Sequence, residues 1–132
     1  CAKVWEGGFE SEAELKDYFR VMGPLYAVRH DPAAAEAGIA RTIHSPEALN
    51  LAFKPDGFLR RFDLRPELSR ITAPTLVLAG ARDWICPPEF AEEIHRLIPG
   101  SRLVVIENAS HSLRVDAPER LIAEIIAFTE GN

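Results

Sequence analysis

An aspartate and a histidine stand in comparable places in this sequence. Asp83 comes three residues after the glycine that closes the apolar run TLVLAG, and His111 follows the run RLVVIE by a short polar corner, N-A-S. A carboxylate held against one imidazole nitrogen fixes the tautomer and stabilises the imidazolium, and the other nitrogen is left to act as a base. That chemistry needs two groups placed rigidly on separate loops. Singly, each residue has a plainer reading. Asp83, before Cys86-Pro87-Pro88, suits a turn or a helix start, and His111, between two serines, suits a solvated loop. What makes them a candidate pair is the order in which they come: strand-Gly-x-x-Asp, then helix, strand and N-A-S-H.

The elements that must position them begin at Ile71. TLVLAG and RLVVIE are continuous branched-aliphatic runs of strand length, the pattern of strands buried on both faces in a parallel sheet. Between them PPEFAEEIHRLI predicts a helix with Phe90, Ile94 and Leu97 on one face. After the second strand, Asp116 and Glu119 have the spacing of a capping box. Leu121, Ile122, Ile125 and Phe128 follow at helical intervals, with Gly131 behind them. The order βαβα predicts parallel strands joined by a right-handed crossover. Loops after neighbouring parallel strands leave on the same side of the sheet, where ligands bind in open α/β folds. Two such strands leave open edges, so this half reads as the end of a larger sheet.

Residues 1–70 have a different texture, helical with no strand. In SEAELKDYFRVM, Ser11 and Glu14 form a capping box, and Leu15, Tyr18, Phe19 and Met22 make one apolar stripe that Gly23-Pro24 stops. Asp31-Pro32 and Ser45-Pro46 open two further helices, because Asp and Ser cap and Pro suits a first turn. KPDGFLRRFDLRPELSRI reads as short helical pieces and turns. The division is therefore 1–70, a helical region, and 71–132, strand-helix-strand-helix.

Composition narrows the function classes. The chain has 132 residues, 47% hydrophobic and 27% charged, with formal net charge −5. There is no basic footprint for nucleic acid and no apolar run near the ~20 residues of a membrane span. The two cysteines, Cys1 and Cys86, are too few for a disulfide framework and lack metal-ligand spacing. No metal and no cofactor is expected. With no basic-then-apolar leader, a reducing cytoplasmic setting is the expectation.

The stretch IxAPTLVLAGARD…IPGSRLVVIENASHSLRVDAPERLIAEIIAF resembles the C-terminal third of α/β-hydrolases. The resemblance covers roughly residues 71–129 and implies the fold class: the last two parallel strands and helices of a hydrolase sheet, preceded by a helical cap. In that family the acid follows one late strand and the histidine follows the last, so the resemblance places Asp83 as the acid and His111 as the base. The family often has Gly before its histidine; Ser110 stands there in this chain. MGPLY and VWEGG resemble caps of the proline iminopeptidase branch, which holds the free amino group of its substrate with cap glutamates, one of them in a Trp-Glu pair. Trp5-Glu6 is the matching pair, and it equally reads as a packed tryptophan beside a solvated carboxylate. Glu6, Trp84 and Tyr26 are the candidate substrate-binding residues, with Ile85, Tyr18 and Phe19 as further pocket walls.

A triad hydrolase also needs a nucleophile, in this family a serine on a G-x-S-x-G elbow. No such pattern occurs among Ser11, Ser45, Ser69, Ser101, Ser110 and Ser112. The expectation is thus a C-terminal piece of a serine hydrolase of esters or amides, an aminopeptidase among the options. An N-terminal hydrolase fragment on a separate chain would supply the serine as its partner. Two alternatives stand beside it. Cys1 could act as an N-terminal nucleophile, although that mechanism sits on antiparallel sheets and residues 2–70 offer no strand. The chain could also be a non-catalytic binding protein on a hydrolase scaffold, for which the Asp83 and His111 pair has no use.

Overall fold

The computed structural model describes residues 2–131, which form two compact units: residues up to 23 with 31–63, and 24–30 with 64 onward. The first unit is helical. It holds α1 (Ala2–Glu6), α2 (Glu12–Met22), α3 (Pro32–Arg41), α4 (Pro46–Phe53) and a 3-10 turn at Phe58–Arg60. The start signals act as their chemistry dictates. Ser11 accepts from the Glu14 N–H, Asp31 from those of Ala33 and Ala34, and Ser45 from that of Ala48. The reciprocal half of the first capping box differs from expectation: the Glu14 carboxylate reaches the N–H of Glu10, one residue before the cap. At the other end of α2, Gly23 keeps a right-handed helical conformation and the chain tightens into a 3-10 turn, Gly23–Tyr26.

The core of this unit is Val4, Phe9 and Leu15, flanked by Tyr18, Phe19, Leu49 and Phe53. Asn50 clamps the backbone of Phe9 from both sides, accepting its N–H at 3.1 Å and donating to its carbonyl at 2.7 Å. Gly7 turns the chain after α1 with φ +65°. A Cβ there would be strained by that backbone and would press on Lys54 and on the Asn50 carbonyl.

The second unit is α/β. A 3-10 turn (Arg65–Arg70) leads to β1 (Leu76–Gly80), α5 (Pro88–Leu97), β2 (Arg102–Ile106), the single turn α6 (Leu113–Asp116) and α7 (Pro118–Glu130). Among the described residues the sheet has two strands. They are parallel, with Leu76 opposite Arg102 and Gly80 opposite Ile106. Both apolar runs are therefore strands, in the pairing the βαβ order predicts.

The helices add one feature to what the sequence suggests and correct another. On α5 the residues turned inward are Ala91, with Ile98 just beyond the helix, while Phe90 is 54% exposed and Ile94 38%. The stripe through Phe90 and Ile94 exists, but the described residues cover it only in part. Secondly, Asp116 does not cap the last helix. Ala117 stands at that position without a side-chain bond, and Asp116 ends α6 with its carboxylate buried. The S-x-x-E type of spacing is satisfied here by a residue with another task, described next.

Candidate active site

Both site loops belong to the second unit, and both leave from the carboxyl ends of the paired strands. After β1 the backbone turns at once: the N–H of Ala81 donates to the carbonyl of Ile106, that of Arg82 to Ala109, and that of Asp83 back to Gly80. This brings the loop after β1 directly against the loop after β2. A Cβ on Gly80 would collide with the carbonyl oxygens of Ala109 and Ser110, so glycine at the strand end is a condition of the two loops meeting.

Asp83 is 9% exposed. Its Oδ1 accepts the N–H groups of Ile85 (2.9 Å) and Cys86 (3.0 Å), an Asx-type turn. Oδ2 is left for His111, whose Nδ1 lies 3.0 Å away. In the neutral ring Nδ1–H donates to this oxygen, which leaves Nε2 as the free acceptor. The His111 side chain is 37% exposed, so Nε2 chemistry is open to a substrate while the carboxylate behind it is shielded. Asp83 thus closes a turn with one oxygen and meets His111 with the other.

Tyr26 stands edge-on to the His111 ring, centroids 5.5 Å apart at 76°. Its carbonyl accepts the N–H of Ser112, and the indole N–H of Trp84 donates to the carbonyl of Leu25 at 2.7 Å. Residues 24–30 are in this way stitched to the aspartate loop through Trp84 and to the histidine loop through Ser112. Trp84 remains 53% exposed beside Asp83. Of the residues singled out from the sequence, Tyr26, Asp83, Trp84 and His111 share the second unit. Glu6 belongs to the first, at the exposed end of α1. Its neighbour Trp5 is engaged by packing: its ring meets Phe53 at 5.5 Å, and Arg60 lies over it at 4.9 Å and donates to its carbonyl. Tyr18 and Phe19 also lie in the first unit, against its core. Cys1 lies outside the described residues.

Two residues of the site escaped sequence reasoning. Ser110, in the place where Gly is common, is 4% exposed, and its hydroxyl donates to the carbonyl of Arg82, binding the histidine loop to the aspartate loop. Asp116 gathers three backbone donors: Ser110 N–H on Oδ2 at 2.8 Å, and Val28 and Arg29 N–H on Oδ1 at 2.8 and 2.9 Å. Burial opposes its charge, but these N–H groups, in a positive neighbourhood near Arg29, outweigh it and hold its carboxyl below the usual carboxylate range. The only sequence signal was an Asp two residues before a proline and three before a glutamate, which reads more simply as a cap. Cys86 shows the opposite shift: although the residue is exposed, partial desolvation of its thiol, and then the charge of Asp83, push it up, so it is a poor nucleophile at neutral pH.

Comparison with known proteins identifies the family and the fold. The alpha/beta hydrolase fold family matches residues 13–118. A proline iminopeptidase from Pestalotiopsis fici is 35% identical over 94% of this chain and 43% of its own length. A pimeloyl-[acyl-carrier protein] methyl ester esterase from Neisseria meningitidis is 38% identical over 66% of this chain and 33% of its own. Among solved structures, an esterase from Exiguobacterium antarcticum superposes with TM-score 0.74 at 26% identity, over 90% of this chain and 44% of that one. The chain spans less than half the length of these relatives. The fold is that of the C-terminal portion of such proteins, and the chain belongs to the α/β-hydrolase family.

Proposed function

We propose that these residues are part of a serine hydrolase that cleaves an ester or amide through an acyl-serine intermediate. His111 is the general base and then the general acid, and Asp83 is the group that orients it. The observation that carries this reading is the 3.0 Å contact between His111 Nδ1 and the buried Asp83 carboxylate at the ends of two adjacent parallel strands. In the first half-reaction His111 Nε2 takes the proton of the attacking serine, and the imidazolium is stabilised by Asp83. The ring then returns the proton to the leaving alcohol or amine, and a water molecule repeats the cycle to free the acid. Nucleophile and oxyanion hole come from a polypeptide outside residues 1–132, an N-terminal hydrolase partner. That the 132 residues hold no G-x-S-x-G supports this. The helical first unit serves as cap.

Proline iminopeptidases and esterases both stand among the relatives. The peptidase reading has the broader coverage of this chain. Under it Glu6 holds the substrate ammonium, an assignment supported by the Trp5-Glu6 pair alone, while Tyr26 and Trp84 contribute walls. A Glu6→Gln variant of the complete protein is then expected to lose its preference for a free over an acetylated amino acid p-nitroanilide while keeping simple esters. Equal rates on both anilides in the parent favour the esterase.

The triad itself is tested by kcat. In the complete assembly, His111→Ala and Asp83→Asn should each lower it by a factor on the order of 10³ or more. Melting temperature should move little in His111→Ala, whose side chain is 37% exposed, and in Asp83→Asn, which keeps an oxygen for the Ile85 and Cys86 N–H groups. An Asp83→Asn enzyme within a few-fold of the parent would mean that Asp83 is not the triad acid.

A further inference from the structure

Asp83, Cys86 and His111 each bring one metal-binding atom to a common point. A carboxylate oxygen, Sγ and a ring nitrogen all lie within 4.8 Å of one another. The spacing D-W-I-C explains half of this. The Asx-type turn closes on the Cys86 N–H itself, 3.0 Å from Asp83 Oδ1, so the thiol is held beside the carboxylate by the same backbone. The other half is the loop contact that delivers His111 Nδ1 to Oδ2. The two cysteines of the sequence do not suggest a metal site, because the three ligands come from two loops and only one of them is a thiol.

We propose that this trio binds a thiophilic divalent cation of the zinc type, with water in the fourth position. The ligand set selects the ion. One sulfur, one imidazole and one carboxylate suit tetrahedral Zn²⁺, with bonds of about 2.0–2.3 Å and ligand atoms about 3.2–3.8 Å apart. The present separations reach those values through rotation of two side chains that are not buried, Cys86 and His111. Mg²⁺ and Ca²⁺ prefer an all-oxygen shell and are not served here. Charge balances: the Cys86 thiol gives its proton to solvent, so thiolate and carboxylate together offset the 2+ ion. The imidazole stays neutral and its proton passes from Nδ1, through solvent, to Nε2. The ion therefore replaces the shared proton of the pair and leaves His111 in the wrong tautomer to act as a base. That last consequence, inhibition, rests on the proposed catalytic role of the pair; the binding does not.

The test uses Co²⁺ as a spectroscopic stand-in, on the purified chain and on variants. Titration should produce a thiolate-to-cobalt charge-transfer band with intensified visible bands, and Zn²⁺ but not Mg²⁺ should abolish it. Cys86→Ser should remove the charge-transfer band and Cys1→Ser should keep it. Zn²⁺ affinity, measured by competition with the cobalt form, should fall at least about tenfold in His111→Ala, the range that even a supporting residue of a metal site commands. No band, a band that survives Cys86→Ser, or a band lost with Cys1→Ser would overturn the site. In the complete assembly, hydrolysis should fall with the same Zn²⁺ midpoint as binding. If Zn²⁺ binds through the trio and the rate does not change, the site stands and the catalytic reading of Asp83 and His111 fails. If the rate depends on His111 and no ion binds, the reverse holds.

Discussion

At the scale of single residues the side chain with most structural influence on the site is Asp116, which touches no substrate in any reading. Its two oxygens collect three N–H groups from two separate stretches, 28–29 and 110, and residue 110 immediately precedes His111. Removing the carboxylate leaves the buried Ser110 N–H unpaired, at a cost of about 1–3 kcal/mol, and frees two part-buried donors, Val28 and Arg29, that water can partly satisfy. Asp116→Ala should therefore destabilise the fold by about 2–4 kcal/mol, measured by urea unfolding. The pH dependence follows from the direction of its shift. The folded carboxyl titrates below the unfolded one, whose ordinary value is about 3.9, so on acidification the unfolded chain takes up the proton first. The stabilisation is complete above the unfolded value and is lost as pH falls through the folded one. Asp116→Asn cannot titrate and places an amide donor against an N–H donor. It should be weaker than the parent at pH 6, with the difference shrinking once pH falls below the unfolded value of about 3.9. Parallel stability curves for the two proteins over that range would assign the acid limb to another carboxylate.

Among the elements, the last helix is the informative one. α7 shows solvent its apolar residues Ile122, Ile125 and Ile126, at 56%, 44% and 47% exposure, and buries a glutamate. Glu124 is 7% exposed and accepts from Arg102 at the start of β2 (2.7 Å) and from Arg120 one helical turn earlier (2.5 Å). The pair with Arg102 ties the helix to the strand whose loop carries His111. Both arginines are about half exposed, so solvent screens the pairing and its net worth is modest. Glu124→Ala should cost about 1–2 kcal/mol, and Arg120→Ala, which leaves the Arg102 contact in place, less than about 1 kcal/mol. Equal losses in a urea comparison would show that the strand–helix pair is not the one that matters. The same helix shows what could be read in advance. Strands TLVLAG and RLVVIE, the Asp31 and Ser45 starts, and the Asp83 and His111 placement all depend on local pattern plus one topological rule, and these were legible. The exposure of Phe90 and Ile122 was not, because periodicity shows that a helix has an apolar face and says nothing of whether the chain in hand covers it. Asp116 and Ser110 were missed for a related reason: their partners, at 28–29 and at 82, are far away in sequence, and a local motif supplied a cheaper explanation.

For the whole molecule, the exposed apolar faces and the proposed function make one prediction together. Phe90 and Ile94 on α5, and Ile122, Ile125 and Ile126 on α7, stay exposed beside a sheet of two described strands. Apolar patches on this scale mark contact surfaces, and open strand edges invite pairing. Under the proposed function the N-terminal partner covers these surfaces and brings the serine. Residues 1–132 alone should then self-associate and should not turn over p-nitrophenyl acetate above a His111→Ala control; genuine turnover by the pure chain would remove the need for a second polypeptide. A double variant separates the two roles of the apolar face. Ile122→Glu with Ile126→Glu places charges on exposed positions of a helix that keeps its strand contact through Glu124, so the isolated chain should become more monodisperse in light scattering. If α7 is where the partner docks, the same variant should fail to recover hydrolase activity when mixed with an N-terminal half carrying the serine elbow, under conditions where the parent chain does recover it. Full recovery by the double variant would place the contact elsewhere and leave α7 as a solvent-facing helix in the assembled enzyme.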